Sequence, residues 1–246
     1  RILLPEGTGR VSFATSVVSY FLMLSQLGIP TYGIRACAKV RDDRKKLSRV
    51  VHELMAINLV MSLLSYLALG IFVFAIPRLR AQSSLIFIIS LTILLNAVGM
   101  EWLYKALEQY TYITIRSVIF KAIAVVAMLL LIRQQSDYVV YGALTILAAS
   151  ASNVCNFVHA HTYIDLFPEE KYNYRQHMKP ILVFFAMSCA TVIYTNLDTV
   201  MLGLMKNNVD VGYYNAAVKI KGILVGIVMS SKQQRAKKTS GTPILC

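Results

Sequence analysis

The chain has 246 residues, of which 57% are hydrophobic and only 15% are charged, and its formal net charge is +13. The hydrophobic share exceeds the roughly 45–50% of soluble domains and is gathered into long blocks, which argues against a large soluble core. The basic residues lie mostly in the short loops between these blocks, with no basic face that carries interleaved aromatics, so nucleic acid is excluded as a partner.

Seven of these blocks are predicted to cross a lipid bilayer. They are too long and too continuous for barrel strands, so the predicted fold is all-α, a polytopic transmembrane helical bundle. Polar residues share one stripe of the first span, Pro77 ends the second span, and Pro180 lies in the first turn of the sixth. The predicted spans cover residues 11–35, 50–76, 84–104, 117–132, 139–159, 179–204 and 209–229.

The loop charges predict the orientation of the spans. The loop 35–49 and the alternate loops on its side contain sixteen Lys and Arg residues, against four on the opposite side. Because basic loops stay in the cytoplasm, the 35–49 loop is predicted to be cytoplasmic and residue 1 to lie outside.

Cysteine and histidine usage indicates neither a disulfide framework nor a metal site. The four cysteines, Cys37, Cys155, Cys189 and Cys246, form no C-x-x-C motif, and the pair His159 and His161 has no third ligand nearby in sequence. No cofactor is therefore predicted. No nucleophile elbow, phosphate-binding glycine loop or pair of carboxylates on one face is present, which argues against an enzyme.

Ionisable residues inside the last two spans are the strongest functional signal, because charge within a bilayer usually faces a cavity. In the sixth span Asp198 continues a polar stripe through Thr191 and Thr195, at steps of three and four residues. In the seventh span Lys219 lies on a face of small residues, and Lys221 points about 200° away.

Two interpretations of these charges remain open from the sequence. In the first, Asp198 and Lys219 form a buried ion pair, and Gly222 with Gly226 is a helix-packing contact. In the second, Lys219 projects into a water-filled cavity and attracts an anionic substrate. Arg10, which follows "GTG" at the external mouth of the first span, is a further candidate anion contact.

Three stretches resemble one family of transporters. "SFATSVVSYFLMLSQLGIPTYGIRACAKVRDDRKKLS", "EWLYKALEQYTYITIRSVIFK" and "NLDTVMLGLMKNNVDVGYYNAAVKIKG" are similar to successive regions of bacterial polysaccharide (O-antigen and capsule) flippases. These belong to the multidrug/oligosaccharidyl-lipid/polysaccharide exporter superfamily. The three stretches occur in order and cover most of residues 1–229, whereas the tail 230–246 does not match.

The resemblance implies a transporter of twelve to fourteen helices, arranged as two bundles around a central cavity in the bacterial inner membrane. Such proteins move lipid-diphosphate-linked oligosaccharides from the inner to the outer leaflet by alternating access. Residues 1–178 would hold most of the N-terminal bundle and 179–229 the first two spans of the second, with 230–246 a polar tail that is disordered or derived from truncation. A polysaccharide polymerase and a chain-length protein are the expected partners.

For such a substrate, the candidate site residues supply charge and hydrogen bonds. Lys219, Arg10 and Lys221 would attract the diphosphate, and Asp198 would couple transport to a proton or sodium ion. The hydroxyl and amide groups that would meet the sugars belong to Ser16, Ser19, Thr191, Thr195, Gln26 and Asn196. The alternatives are a multidrug or organic-ion antiporter of the same superfamily and a membrane-embedded polysaccharide polymerase or glycosyltransferase.

Overall fold

The computed structural model describes residues 4–165 and 172–240, and side chains as far as residue 226. Within these residues the chain is helical and contains no strand, which confirms the predicted all-α class. The helices are α1 (Leu4–Gln26), α2 (Ile29–Ala38), α3 (Arg44–Ala75), α4 (Pro77–Arg80), α5 (Ser83–Gly99), α6 (Glu101–Ala106), α7 (Tyr110–Leu131), α8 (Tyr138–Ile146), α9 (Ser152–His159), α10 (Arg175–Met205) and α11 (Asn208–Ser240).

Helices α1 and α2 form one broken span. Leu27 and Gly28 adopt positive φ values of 45° and 75°, so the backbone leaves the helix and restarts at Ile29 with Pro30 in the first turn. Glycine adopts this left-handed conformation without the steric cost of a Cβ. The break bends the span at the level where α10 packs against it.

Local sequence signals mark both ends of α3. Asp43 caps the first turn, its Oδ1 accepting a hydrogen bond from the Lys46 backbone N–H at 3.1 Å. That backbone hydrogen bond holds the pKa of the Asp43 carboxyl below its ordinary value. At the other end α3 stops at Ala75, and Ile76 takes an extended conformation before Pro77, as the sequence predicts.

Five helical segments are long and apolar enough to cross a membrane in the described part of the chain: residues 4–38, 44–75, 110–131, 135–162 and 175–205. The predicted third span is interrupted, because Met100 adopts a φ of 41° and separates α5, only 17 residues long, from α6. The predicted seventh span is helical as the start of α11, but Asp210, Lys219 and Lys221 make it more polar than the other spans.

The end of α11 extends into the segment that the sequence analysis described as a polar tail. The helix continues through Ser240, so residues 230–240 are helical in the structure, and residues 241–246 lie outside the described part. Gln, Arg, Ala and Lys predominate in "KQQRAKK", and these residues are all good helix formers. Helix propensity therefore outweighs the loss of an apolar stripe here.

The segment 135–162 is continuous but irregular. A π-helical turn at Leu147–Ala151 joins α8 to α9, in the Ala- and Ser-rich stretch of the predicted fifth span. Such a turn inserts an extra residue into the helix and shifts which side chains face the interior.

One face of α3 is apolar and exposed. Its residues Leu59, Leu63, Leu67 and Ile71 recur every four residues, as expected for a face toward lipid.

Two apolar clusters form the interior. One contains Phe13, Val17, Ile86 and Ile93 and joins α1 to α3 and α5. The other contains Ile29, Leu54, Leu103 and Tyr104 and joins α2 to α3 and α6. Helix α10 packs against both α1 and α2.

Candidate functional site

A cavity of about 480 Å³ lies between the α1–α2 segment and α10. None of the described residues that line it is charged, and its wall mixes apolar side chains with hydroxyl and amide groups. The lining residues are Ser19, Leu22, Met23, Gln26, Gly28, Pro30, Thr31, Phe184, Met187, Ser188, Thr191, Val192 and Asn196.

The helices touch on both sides of this cavity. Toward the start of α10, Gly28 packs so closely that an added Cβ would lie 2.5 Å from the Phe185 backbone nitrogen. Toward the end of α10, Gly203 packs against the ring of Phe13, which leaves no room for a Cβ. The two helices therefore meet at two glycines and diverge between them, and the divergence creates the cavity.

Four of the predicted substrate-binding residues line this cavity: Ser19, Gln26, Thr191 and Asn196. Ser19 donates to the Thr15 carbonyl at 2.8 Å and Thr191 to the Met187 carbonyl at 3.1 Å. Because each hydroxyl carries one donor and two acceptor lone pairs, its acceptor capacity remains for a ligand. The wall is thus suited to accept hydrogen bonds from ligand hydroxyl groups.

Two other predicted sugar-binding residues, Thr195 and Ser16, lie near the cavity but do not line it. Thr195 is exposed beside the cavity; it donates to the Thr191 carbonyl at 2.9 Å and accepts from the Asn196 amide at 2.9 Å. Ser16, one turn before Ser19 on α1, is buried and does not line the cavity.

Asp198 is exposed on α10 and accepts a hydrogen bond from the Tyr214 hydroxyl of α11 at 2.7 Å. It forms no ion pair with Lys219 in the described part of the structure, although both side chains are described there. The buried Asp198–Lys219 pair that one interpretation of the sequence proposed is therefore not formed here. A tyrosine hydroxyl satisfies the carboxylate instead.

Lys219 and Lys221 are both exposed and line none of the described cavities. A Cβ added at Gly222 or Gly226 would meet nothing within 4 Å among the described residues, so the expected glycine packing contact is also not formed. Among residues 208–226 of α11, whose side chains are described, the closely packed ones are Val211 and Gly212 near the start of the helix.

Arg10 lies apart from the cavity between the α1–α2 segment and α10. Its Nη2 is 2.7 Å from Glu6 Oε1, its Nη1 donates to the Tyr138 hydroxyl at 3.3 Å, and its guanidinium lies 5.0 Å from the centre of the Tyr138 ring. These groups line a separate pocket of about 230 Å³ at the start of α1. The structure thus places Arg10 at one end of the span, as predicted, but already paired.

A buried polar network near the start of α10 was not found by sequence reasoning. Glu53 of α3 is fully buried; its Oε2 is 2.6 Å from His177 Nε2 and its Oε1 is 3.1 Å from Arg49 Nε. The same carboxylate accepts from the Asn173 backbone N–H at 2.5 Å and from the Gln176 side chain at 3.0 Å. The signal available in the sequence was an acidic residue at the edge of an otherwise apolar span.

The network continues toward the cavity through α2. The Tyr32 hydroxyl lies 2.8 Å from His177 Nδ1, and the Tyr32 ring lies 6.2 Å from the ring of Phe184, which lines the cavity. The exposed Arg35 guanidinium lies 5.0 Å from the centre of the same Phe184 ring, a cation–π contact. Among the described contacts, this one places the Arg35 cation beside the Phe184 edge of the cavity.

Near the start of α1, this helix contacts the start of α11 through small residues. Gly9 lies against the Asn208 carbonyl, and Gly212 lies against the Pro5 carbonyl, with no space for a Cβ at either position. Arg78 holds the turn between α10 and α11, its Nε donating to the Gly203 carbonyl at 3.1 Å. No group of three metal-ligating side chains is present in residues 4–165 and 172–226.

The comparisons with known proteins agree on one family. Residues 1–234 match the sequence pattern of the family described as "Polysaccharide biosynthesis protein", so the match extends five residues into the tail that the resemblance left out. A protein of Escherichia coli (strain K12) named "Putative O-antigen transporter" is 20% identical over 248 aligned positions, which cover 100% of this chain and 60% of that relative. No solved structure matches the chain significantly. The chain belongs to the polysaccharide biosynthesis protein family and is a multi-pass helical membrane protein.

Proposed function

We propose that the protein translocates lipid-diphosphate-linked oligosaccharides from the inner to the outer leaflet of the bacterial cytoplasmic membrane by alternating access. The observation that carries this proposal is the cavity between the α1–α2 segment and α10, whose hydroxyl and amide groups lie inside membrane-spanning helices. Polar groups at such positions mark substrate pathways. The family and the name of the Escherichia coli relative support the same function.

The distribution of charge supports this substrate over an organic cation. No carboxylate lines the described cavity, whereas a cation exporter needs acidic groups there. Lys219, Lys221 and Arg35 are exposed cations on the helices that border it or follow it, and they supply attraction for a diphosphate. In this proposal the 35–49 loop is cytoplasmic, so substrate enters from the side of Arg35, and Asp198 couples transport to an ion. No enzymatic step is needed, and a polymerase would act on the exported product.

The polar wall of the cavity gives the first test. In a strain that lacks the full-length gene, the combined Thr191→Val and Asn196→Ala variant is expected to restore export about thirtyfold less than wild type, because two hydrogen bonds worth about 1 kcal/mol each are lost. Export is measured as surface polysaccharide, and failure as lipid-linked repeat units that remain on the cytoplasmic side. Thr145→Val is the control, because Thr145 makes the same bond to the carbonyl four residues earlier but lies in α8.

Full export by the double variant would contradict a substrate role for this wall. If the deletion strain accumulated the undecorated acceptor lipid, the proposed step would be wrong, because synthesis of the repeat unit would then depend on this protein. Altered drug resistance with normal polysaccharide would favour the multidrug alternative instead.

The two lysines of α11 give the second test. Lys219→Ala is expected to lower export by about tenfold or more, since a charge-assisted hydrogen bond contributes about 1.5–3 kcal/mol, whereas Lys219→Arg keeps the charge and most of the activity. Lys221→Ala is the matched comparison, two residues away on a different face of the same helix. Equal export by Lys219→Ala and wild type would remove Lys219 from the site.

A further inference from the structure

A smaller chamber adjoins the cavity between the α1–α2 segment and α10. It has a volume of about 200 Å³, and Gln26 and Pro30 line both spaces, so the two share a wall where α1 ends and α2 begins. Its volume is several times the roughly 30 Å³ of one water molecule in the liquid. The chamber therefore has room for a polar group the size of one ring.

Three asparagines from three different helices line this chamber: Asn58 of α3, Asn96 of α5 and Asn153 of α9. Asn58 lies fourteen residues into its span, which is about 21 Å along the helix axis and well inside the apolar part of the chain. Amides at this depth are costly unless they face a partner or a polar space. Their convergence on one chamber indicates that the chamber binds a polar group.

The hydrogen bonds among these amides leave one buried acceptor without a partner among the described residues. Asn153 donates to Asn96 Oδ1 at 3.2 Å, and Asn58 donates to the Ala97 carbonyl at 3.3 Å. Asn58 is 3% exposed, and its Oδ1 has no hydrogen-bond partner in the described structure. Because buried polar atoms are almost always satisfied, an orphaned oxygen beside a cavity points to a donor that occupies it.

The charges at the chamber indicate a neutral occupant. Glu101 and Lys105 both line the chamber and pair with each other, with Lys105 Nζ 2.8 Å from Glu101 Oε1, so their charges cancel. A carboxylate accepts and an ammonium donates, whereas the amides do both. This combination suits a group with several hydroxyls, each of which is both donor and acceptor, better than it suits a free cation or anion.

We infer that this chamber is a binding subsite for one sugar residue of the lipid-linked oligosaccharide. The inference rests on the proposed function, and it assigns one sugar residue to the asparagine-lined chamber while the rest of the oligosaccharide lies in the neighbouring cavity beyond Gln26 and Pro30. Asn58 Oδ1 accepts a hydrogen bond from a sugar hydroxyl, and the Glu101–Lys105 pair binds further hydroxyls at the open side, where both side chains are about 40% exposed.

The test compares two lipids on the full-length protein in nanodiscs: undecaprenyl diphosphate, and undecaprenyl diphosphate that carries a single hexosamine. Wild type is expected to bind the sugar-bearing lipid more tightly. Asn58→Ala is expected to weaken binding of that lipid at least fivefold, since one hydrogen bond to a buried partner is lost, and to leave binding of undecaprenyl diphosphate unchanged. Gln109→Ala, an exposed amide outside both cavities, is the control.

Retained binding of undecaprenyl diphosphate also shows that a variant is folded. If Asn58→Ala does not fold, the isosteric variant Glu101→Gln at the chamber's open side is measured instead. It is also expected to weaken binding of the sugar-bearing lipid and to leave binding of undecaprenyl diphosphate unchanged. Equal affinity of wild type for the two lipids, or a variant that weakens both lipids equally, overturns the subsite and leaves the transport proposal standing. If wild type binds neither lipid, the proposed function fails, and the subsite fails with it.

Discussion

Replacing Glu53 with Gln is expected to lower the free energy of unfolding by about 3 kcal/mol, the largest effect of any isosteric change in the described network. The Glu53 carboxylate accepts from four donors, which come from Arg49, Asn173, Gln176 and His177. An amide of the same shape offers one acceptor oxygen and turns its NH₂ group toward donors. Two of the four donors therefore lose their partner, at about 1–3 kcal/mol for a buried donor such as His177.

The measurement is the thermal or denaturant unfolding of the full-length protein in detergent. Glu108→Gln is the matched control, because Glu108 also pairs with an arginine, Arg41 at 2.9 Å, but is 69% exposed, and exposed pairs contribute only about 0–1 kcal/mol. In a double-mutant cycle, Glu53→Gln and His177→Gln should be coupled by more than about 1 kcal/mol. Additive effects, or a Glu53→Gln change no larger than that of Glu108→Gln, would show that the network does not hold α10 to α3.

The cavity wall was predictable from the sequence to the extent that it depends on helical spacing. Gln26 and Ser19 were identified because they continue one polar stripe of α1, and Thr191 with Asn196 because they belong to a polar stretch of α10. Helical periodicity fixes which side chains share a face. A polar face inside a membrane span usually faces the bundle interior or a cavity, because exposing it to lipid is costly. Four of the predicted residues therefore line the same space.

Contacts between helices were not predictable in the same way. The sequence allowed an Asp198–Lys219 pair, but the distance between two helices depends on their packing, and Asp198 meets Tyr214 instead. No role was predicted for Glu53, whose partner His177 is 124 residues away in sequence. Only the tertiary structure places His177, at the start of α10, beside Glu53 of α3.

The interruptions of the spans were harder to predict than their existence. Pro77 gave a clear stop signal for α3, and proline disfavours a helical residue before it. Met100, with a φ of 41°, carries no such signal, since its neighbours on both sides form helices. The Asn156 side chain donates to the Gly99 carbonyl at 2.7 Å, a tertiary contact that replaces the helical hydrogen bond there. Tertiary structure, not local preference, ends α5.

The contact between α1 and α11 should be sensitive to a single added methyl group. Gly212→Ala is expected to lower the free energy of unfolding by about 1–3 kcal/mol, because its Cβ would overlap the Pro5 carbonyl, a backbone atom that no side-chain rotation can move. The two helices would have to separate at this end. Export by the full-length protein is expected to fall as well, since this contact and the one at Gly203 fix how α1 approaches the α10–α11 pair.

Gly222→Ala is the control for this change, and it separates packing from helix propensity. Both glycines lie in α11, and replacing glycine by alanine inside a helix favours the helix by about 1 kcal/mol in either position. At Gly222 an added Cβ meets nothing within 4 Å in the described structure, so this variant should be as stable as wild type or more stable. The difference between the two variants then measures the clash at Gly212 alone. If Gly212→Ala were as stable and as active as Gly222→Ala, α1 and α11 would not be in contact through Gly212 and Pro5 in the membrane.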